Sequence, residues 1–281
     1  MPMDITSQVE GLWFEPIFLP IGTQPLGICA LGNNRFAIAG YFEPCIFIGE
    51  KRNDRLIEVD VIRFALHDGQ PHRIFPPNAQ PGGANRCQTV NPGLDGTLII
   101  TCNASRTFYV LAPPTELGGQ WTCIRQFDLP EYPVPGYRYV HSAHFGKDRL
   151  TVTTSVADLN QPWEVGTYAL GSDFQLEYQS HRQLPMSYVY GIGFRPNDPE
   201  PWFITDSRTN GWLGIFRDPK AVMPVATGNG ICFLEDGSAL VTRYGQEHRH
   251  PAKDRKSFGG NTGCLIYVHH SVIDQALAKV K

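Results

Sequence analysis

His141 and Tyr190 each head a short apolar strand, and these two side chains are the best placed in the chain for proton transfer. An unperturbed imidazole titrates near pH ~6.5 and a phenol can donate to a developing oxyanion, so a His and a Tyr converging on one substrate make a general acid and base pair. Asp206 and Arg243 end the second strands of neighbouring repeats and complete the catalytic candidates. Those two could equally form an ordinary ion pair between repeats, or Asp206 could cap the turn that follows it. Arg243 with Asn103 would hold an oxyanion or carboxylate. Arg86, Tyr41, Tyr244 and Asn229 join them as substrate-binding candidates, with Tyr41, Tyr190, Tyr244 and Trp163 able to stack on a ligand. His144 follows His141 by three residues and lies on the opposite side of a regular strand.

These residues fall on a repeated pattern of an apolar strand, a turn, a second apolar strand, a loop and further strands. Five pairs of segments follow it: 26–31 with 36–40, 87–90 with 98–102, 141–145 with 150–154, 190–194 with 202–206, and 229–233 with 240–243. Their starts lie 61, 54, 49 and 39 residues apart, which suits one four-stranded antiparallel sheet per repeat with loops of unequal length. The intervening turns carry Gly32-Asn33-Asn34, Asp95-Gly96, Gly146-Lys147-Asp148, Pro196-Asn197-Asp198 and Asp236-Gly237, as tight hairpins require. Third strands are expected at 57–66, 107–111, 166–170, 212–216 and 264–268. The last repeat stops after its third strand, and the apolar run at 12–19 belongs to no repeat. Pairing the two orphans would remove an open edge.

The expected fold is an all-β, five-bladed β-propeller in a single domain over residues 1–281, its N-terminal strand closing the last blade. A six-bladed ring is the alternative, because residues 44–76 are long enough to hold extra strands. A short amphipathic helix is expected at 271–280, with Ser271 and Asp274 at capping-box spacing. In such a ring the first strand of each blade lines the axis. The mouth of the channel would then present Leu26, Cys87 or Gln88, His141, Tyr190 and Asn229, and the second strands would end at Gly40, Cys102, Thr154, Asp206 and Arg243.

The run at 203–216 resembles the blade signature of NHL-repeat propellers and of the gluconolactonase and strictosidine-synthase-like group. Asn229-Gly230-Ile231 is similar to the opening of a first strand in that group. The resemblance implies a propeller, usually of six blades, and a role for such an Asn as a metal ligand.

Other features narrow the function. With 28 Gly, 23 Pro and 18% charged residues, neither a helical bundle nor a disordered chain is expected. A net charge of −3 with scattered Lys and Arg excludes nucleic acid as a partner, and no apolar run is long enough for a membrane helix, so a cytoplasmic protein is expected. The seven cysteines contain no C-x-x-C pair and read as buried thiols. No mouth position is Asp or Glu, which argues against a five-bladed glycosidase. Only Asn229 and Asp206 fit an axial cation, so no metal and no cofactor are expected. In the long 245–263 connection, Glu247, His248 and His250 could be drawn as a metal site, though the neighbouring Arg249, Lys253, Arg255 and Lys256 favour a charged surface loop. A small-molecule substrate is the expected partner. Three readings stay open: a metal-independent cyclase, isomerase, lyase or hydrolase; a metal-dependent lactonase-like hydrolase; and a non-catalytic small-molecule or glycan binder.

Overall fold

The computed structural model describes residues 14–18, 25–40, 45–52, 55–63, 87–102, 105–116, 119–130, 137–156, 161–184, 188–205, 215–216, 222–223, 228–243 and 264–278. Its strands, in chain order, open with β1 (Phe14–Phe18), β2 (Pro25–Gly32), β3 (Arg35–Gly40), β4 (Cys45–Arg52) and β5 (Arg55–Arg63). A second group is β6 (Cys87–Pro92), β7 (Leu98–Cys102), β8 (Thr107–Ala112) and β9 (Thr122–Asp128). A third is β10 (Tyr137–Phe145), β11 (Arg149–Val156), β12 (Glu164–Leu170) and β13 (Leu176–Gln183). The remainder are β14 (Val189–Phe194), β15 (Pro201–Thr205), β16 (Ile215–Phe216), β17 (Val222–Met223), β18 (Gly228–Phe233), β19 (Ala239–Arg243) and β20 (Cys264–Val268), followed by α1 (His270–Ala278).

Three sheets are four-stranded antiparallel meanders: β6 to β9, β10 to β13 and β14 to β17. The fourth is eight-stranded, in the order β18-β19-β20-β1-β5-β4-β3-β2. Within it β1 runs antiparallel to β20 over the whole strand, Phe14 opposite Val268 and Phe18 opposite Cys264, but touches β5 through the single parallel pair Phe18 and Arg55. The N-terminal segment therefore pairs with the last long strand of the chain. The first strands β2, β6, β10, β14 and β18 each contact the next, and β18 returns to β2, so they close a ring in a propeller arrangement.

Two expectations need correction. The third strand of the first sheet is β4, and the segment expected in that place is its outer strand β5. Of residues 44–76, where a six-bladed ring would need extra strands, the described ones form β4 and β5 of this first sheet, and 64–76 lie outside the described residues. The helix spans His270–Ala278, one residue ahead of its expected start, and the Ser271/Asp274 capping box does not form. His269 Nδ1 bonds Ser271 Oγ at 2.8 Å, while Asp274 turns to Arg195 at 2.7 Å.

The core is a set of seams between sheets, because alternate side chains on a strand face opposite neighbours. Ile28, Phe36, Ile38 and Phe47 of the first sheet pack on Cys232, Leu240 and Leu265. On α1, Val272 and Ile273 cover Trp202, Ile204, Ile231 and Val241. Each such aliphatic side chain contributes on the order of 1.5–3 kcal/mol by leaving water. The hairpins turn where the sequence supplies left-handed backbone: Asn33 and Asn34 both have positive φ, 50° and 58°, the geometry of a type I′ turn.

Candidate functional site

Every strand of the inner ring carries one extra residue at the same place. Between Cys87, opposite Cys102, and Thr89, opposite Thr101, Gln88 is unpaired. His141 is the extra residue between Val140 and Ser142, Tyr190 between Val189 and Gly191, and Asn229 between Gly228 and Gly230. On β2 the pairing advances from Pro25 to Ile28 while β3 moves only from Gly40 to Ile38, which places the irregularity at Leu26 and Gly27. A bulge bends the strand and re-aims one side chain, and such features gather beside active sites. The five slots are thus Leu26, Gln88, His141, Tyr190 and Asn229.

The pairing resolves one alternative and corrects one register. Gln88, not Cys87, takes the second slot. Across from the pre-bulge residues stand Gly40, Cys102, Thr154, Thr205 and Arg243, so Thr205 occupies the place expected for Asp206.

The residue after each slot is small because the strands converge there. Gly27, Thr89, Ser142, Gly191 and Gly230 form this level. A Cβ on Gly230 would run into the Leu26 carbonyl oxygen, and one on Gly27 would stand 2.9 Å from the Thr89 Cα. Hydroxyls stitch the ring: Thr242 Oγ1 accepts from the Gly230 N–H and donates to the Leu26 carbonyl, both at 2.7 Å. Ser142 Oγ accepts from the Ile192 N–H at 2.9 Å, and Thr153 Oγ1 donates to the Val189 carbonyl at 3.0 Å. Gln88 Nε2 donates to the His141 carbonyl at 3.2 Å, so its amide is committed to holding the neighbouring slot.

His141 is buried, with 6% of its surface exposed, and its Nε2 shares a hydrogen bond with Ser155 Oγ at 2.8 Å. Its ring lies over Trp163, centroids 4.0 Å apart and planes 25° apart, while Tyr190 meets it edge-on at 5.4 Å. Tyr190 also meets Trp163 edge-on at 5.0 Å. Just before this strand, Tyr188 adopts φ of 58°, a left-handed conformation that costs a bulky residue on the order of 1–3 kcal/mol. Trp163 is fully buried, so it is the floor beneath His141 and not the ligand-stacking face expected of it. Asn229 is also buried, and neither Oδ1 nor Nδ2 has a hydrogen-bond partner.

The structure brings His141, Tyr190 and Asn229 to equivalent slots of one ring. Arg243 lies opposite Gly228 at the end of β19, its side chain outside the described residues. Asp206, Arg86, Asn103, Tyr41 and Tyr244 also fall outside them, as do Glu247, His248 and His250. Sequence reasoning did not single out Ser155 as the partner of His141, because only the bulge turns the imidazole toward it.

Burial sets the charge of the surrounding groups. Desolvation pushes His144 down to about 4, so it is neutral at pH 7. The same effect raises Cys102 and Cys232 to about 12, which keeps both thiols protonated and poor nucleophiles. As for the cation that the Asn229 resemblance implies, no three His, Cys, Asp or Glu side chains among the described residues could hold a metal ion. Asn229 Oδ1 alone does not make a site.

No protein-family model and no curated protein matches the sequence. Solved structures with a similar fold include a luciferin-regenerating enzyme, 13% identical, covering 83% of this chain and 74% of that one with a TM-score of 0.42. A gluconolactonase from Xanthomonas campestris is 12% identical over 79% of this chain and 71% of its own, with a TM-score of 0.44. The PQQ-bound aldose sugar dehydrogenase from Streptomyces coelicolor is 10% identical over 92% and 98%, with a TM-score of 0.47. The chain's resemblance to gluconolactonase-type propellers is thus a weak one.

Proposed function

We propose that this protein is an enzyme that holds one small organic molecule at the bulged end of its axial channel and transforms it by acid and base catalysis without a metal. The fold in this reading is one five-bladed domain, the eight-stranded sheet counting as two blades whose strand ladders, among the described residues, join through the single backbone pair Phe18 and Arg55. His141 moves the proton. Its neighbour Ser155 fixes the imidazole and, depending on the tautomer, either donates a hydrogen bond to Nε2 or accepts one from it. Tyr190 supplies a phenolic donor to a developing oxyanion, and the Asn229 carboxamide orients a substrate oxygen or N–H. Arg243, Arg86 and Asn103, with Tyr41, Tyr244 and Asp206, are proposed to complete the pocket from the adjoining segments. The reaction belongs to the cyclase, isomerase, lyase or hydrolase class, whose bond-making and bond-breaking steps general acid and base groups assist.

The observation that carries this reading is the set of five bulges whose slots hold four different hydrogen-bonding side chains and one Leu. A ring held only by packing has no use for an imidazole, a phenol and an unsatisfied carboxamide at matching points, since an orphaned buried amide costs on the order of 1–3 kcal/mol. The mixed set also speaks against a repetitive lectin, whose blades would each carry the same binding residues.

A metal-dependent lactonase-like hydrolase is the second reading, favoured by the unpartnered Oδ1 of Asn229. One experiment separates the two. The protein is incubated with a library of lactones, cyclic ethers and hydroxy acids, with and without EDTA, and products are read by mass spectrometry. Conversion that survives the chelator supports acid and base catalysis. Conversion lost in EDTA and restored by Ca²⁺ or Zn²⁺ selects the lactonase, and saturable binding without any product selects a binding protein.

A further inference from the structure

The axial channel contains a cavity of about 130 Å³ that is separate from the slots just described. All five inner strands line it, by residues that follow the slots and run toward the hairpin turns, and none of the slot residues takes part. The narrow level at Gly27, Gly191 and Gly230 stands between the two. Three residues beyond the slots, Cys29, Asn91, His144, Gly193 and Cys232 form one level of its wall.

No lining residue is Asp, Glu, Lys or Arg. His144 is held neutral by its burial, and burial also raises the Cys29 and Cys232 thiols, so the wall carries no charge at pH 7. It is not purely apolar. Asn91 is 4% exposed and its Nδ2 has no hydrogen-bond partner, and the His144 ring tilts against Phe194 at 4.7 Å. Phe233 faces the same space. A cavity of about 150 Å³ is known to accept a benzene-sized molecule, and burying an ion here would cost far more than burying a neutral group.

We infer that this cavity is a second binding site, for an uncharged molecule the size of a single aromatic ring that carries one hydrogen-bonding group. The flat body lies beside Phe194 and Phe233, and its polar group meets the neutral imidazole of His144. The inference is independent of the proposed catalysis, because the two sites share no residue.

The test uses phenol as the neutral probe, toluene as the probe without a hydroxyl, and benzoate as the charged one, each titrated calorimetrically into the full-length protein at pH 7. Wild type is expected to bind one phenol, toluene about tenfold more weakly, and benzoate not at all. His144→Leu should remove the preference for phenol over toluene, and Cys232→Phe, which fills the cavity, should remove both. Crystals soaked in 4-bromophenol provide a readout that needs no variant, since the anomalous bromine signal should lie among Asn91, His144 and Phe233. Absence of saturable phenol binding, benzoate binding equal to phenol, phenol affinity unchanged in a folded Cys232→Phe protein, or a bromine located elsewhere while the cavity holds only water would each overturn the inference.

Discussion

Thr242→Val tests how the ring is closed. The Thr242 hydroxyl accepts from the Gly230 N–H and donates to the Leu26 carbonyl, joining the first strand of the last repeat to that of the first, and the residue is fully buried. Valine keeps the shape and deletes the hydroxyl, so two backbone groups lose their partner where water cannot replace it. At about 1–3 kcal/mol for each orphaned group, the variant should lose roughly 2–5 kcal/mol. That is a large part of a typical stability of ~5–15 kcal/mol. Thr153→Val is the graded control: its hydroxyl makes one such bond, to the Val189 carbonyl at 3.0 Å, and should cost about half as much. Urea unfolding followed by tryptophan fluorescence reads both, with Thr242→Ser expected to stay close to wild type. A Thr242→Val protein within about 0.5 kcal/mol of wild type, or no less stable than Thr153→Val, would refute the claim that this hydroxyl bridges the seam.

Other outcomes follow from the same geometry. Gly230→Ala should unfold the ring or cost more than about 3 kcal/mol in the same urea assay, because its Cβ meets the Leu26 carbonyl, a backbone atom that cannot step aside. His144 is depressed in the folded state, so the unfolded chain binds the extra proton and stability should fall as pH drops from about 6.5 toward about 4; this part of the slope should vanish in His144→Phe, measured by thermal unfolding across that range. Removing residues 1–19 should lower the melting temperature sharply, since β20 would lose its whole β1 ladder, and a truncated protein with unchanged melting would contradict the pairing.

The sheets were largely legible because period-two apolar strands and hairpin residues such as Asn33-Asn34 and Asp236-Gly237 state their geometry locally. The first sheet misled for a physical reason. Residues 45–52 read as a short apolar run ending in charges, while 55–63 alternate apolar and charged residues, so the alternation drew attention to the half-exposed outer strand β5. The positions of His141, Tyr190 and Asn229 could be aligned from the Gly that follows two of them, but the bulges could not, since nothing local marks a backbone residue that skips its partner. The one-residue difference between Thr205, which pairs with Val189, and Asp206 shows only in the strand pairing, and the burial of Trp163 only in the packing. The buried environment of His141 was hidden for the same reason. A mouth histidine would leave stability untouched when truncated, whereas this one stacks on Trp163 and bonds Ser155, so its loss should cost on the order of 2–4 kcal/mol.

Turnover per folded molecule in His141→Ala is the most direct measure of the central claim. With any substrate that the wild-type protein converts, and with the folded fraction measured under the same conditions, the variant should lose about 10²-fold or more, as removal of a general acid or base requires. Tyr190→Phe should lose activity too, while melting close to wild type. Full turnover by the folded part of a destabilised His141→Ala protein would mean that the imidazole only fills the seam beside Trp163, and would contradict the assignment of catalysis to the bulged end of the channel.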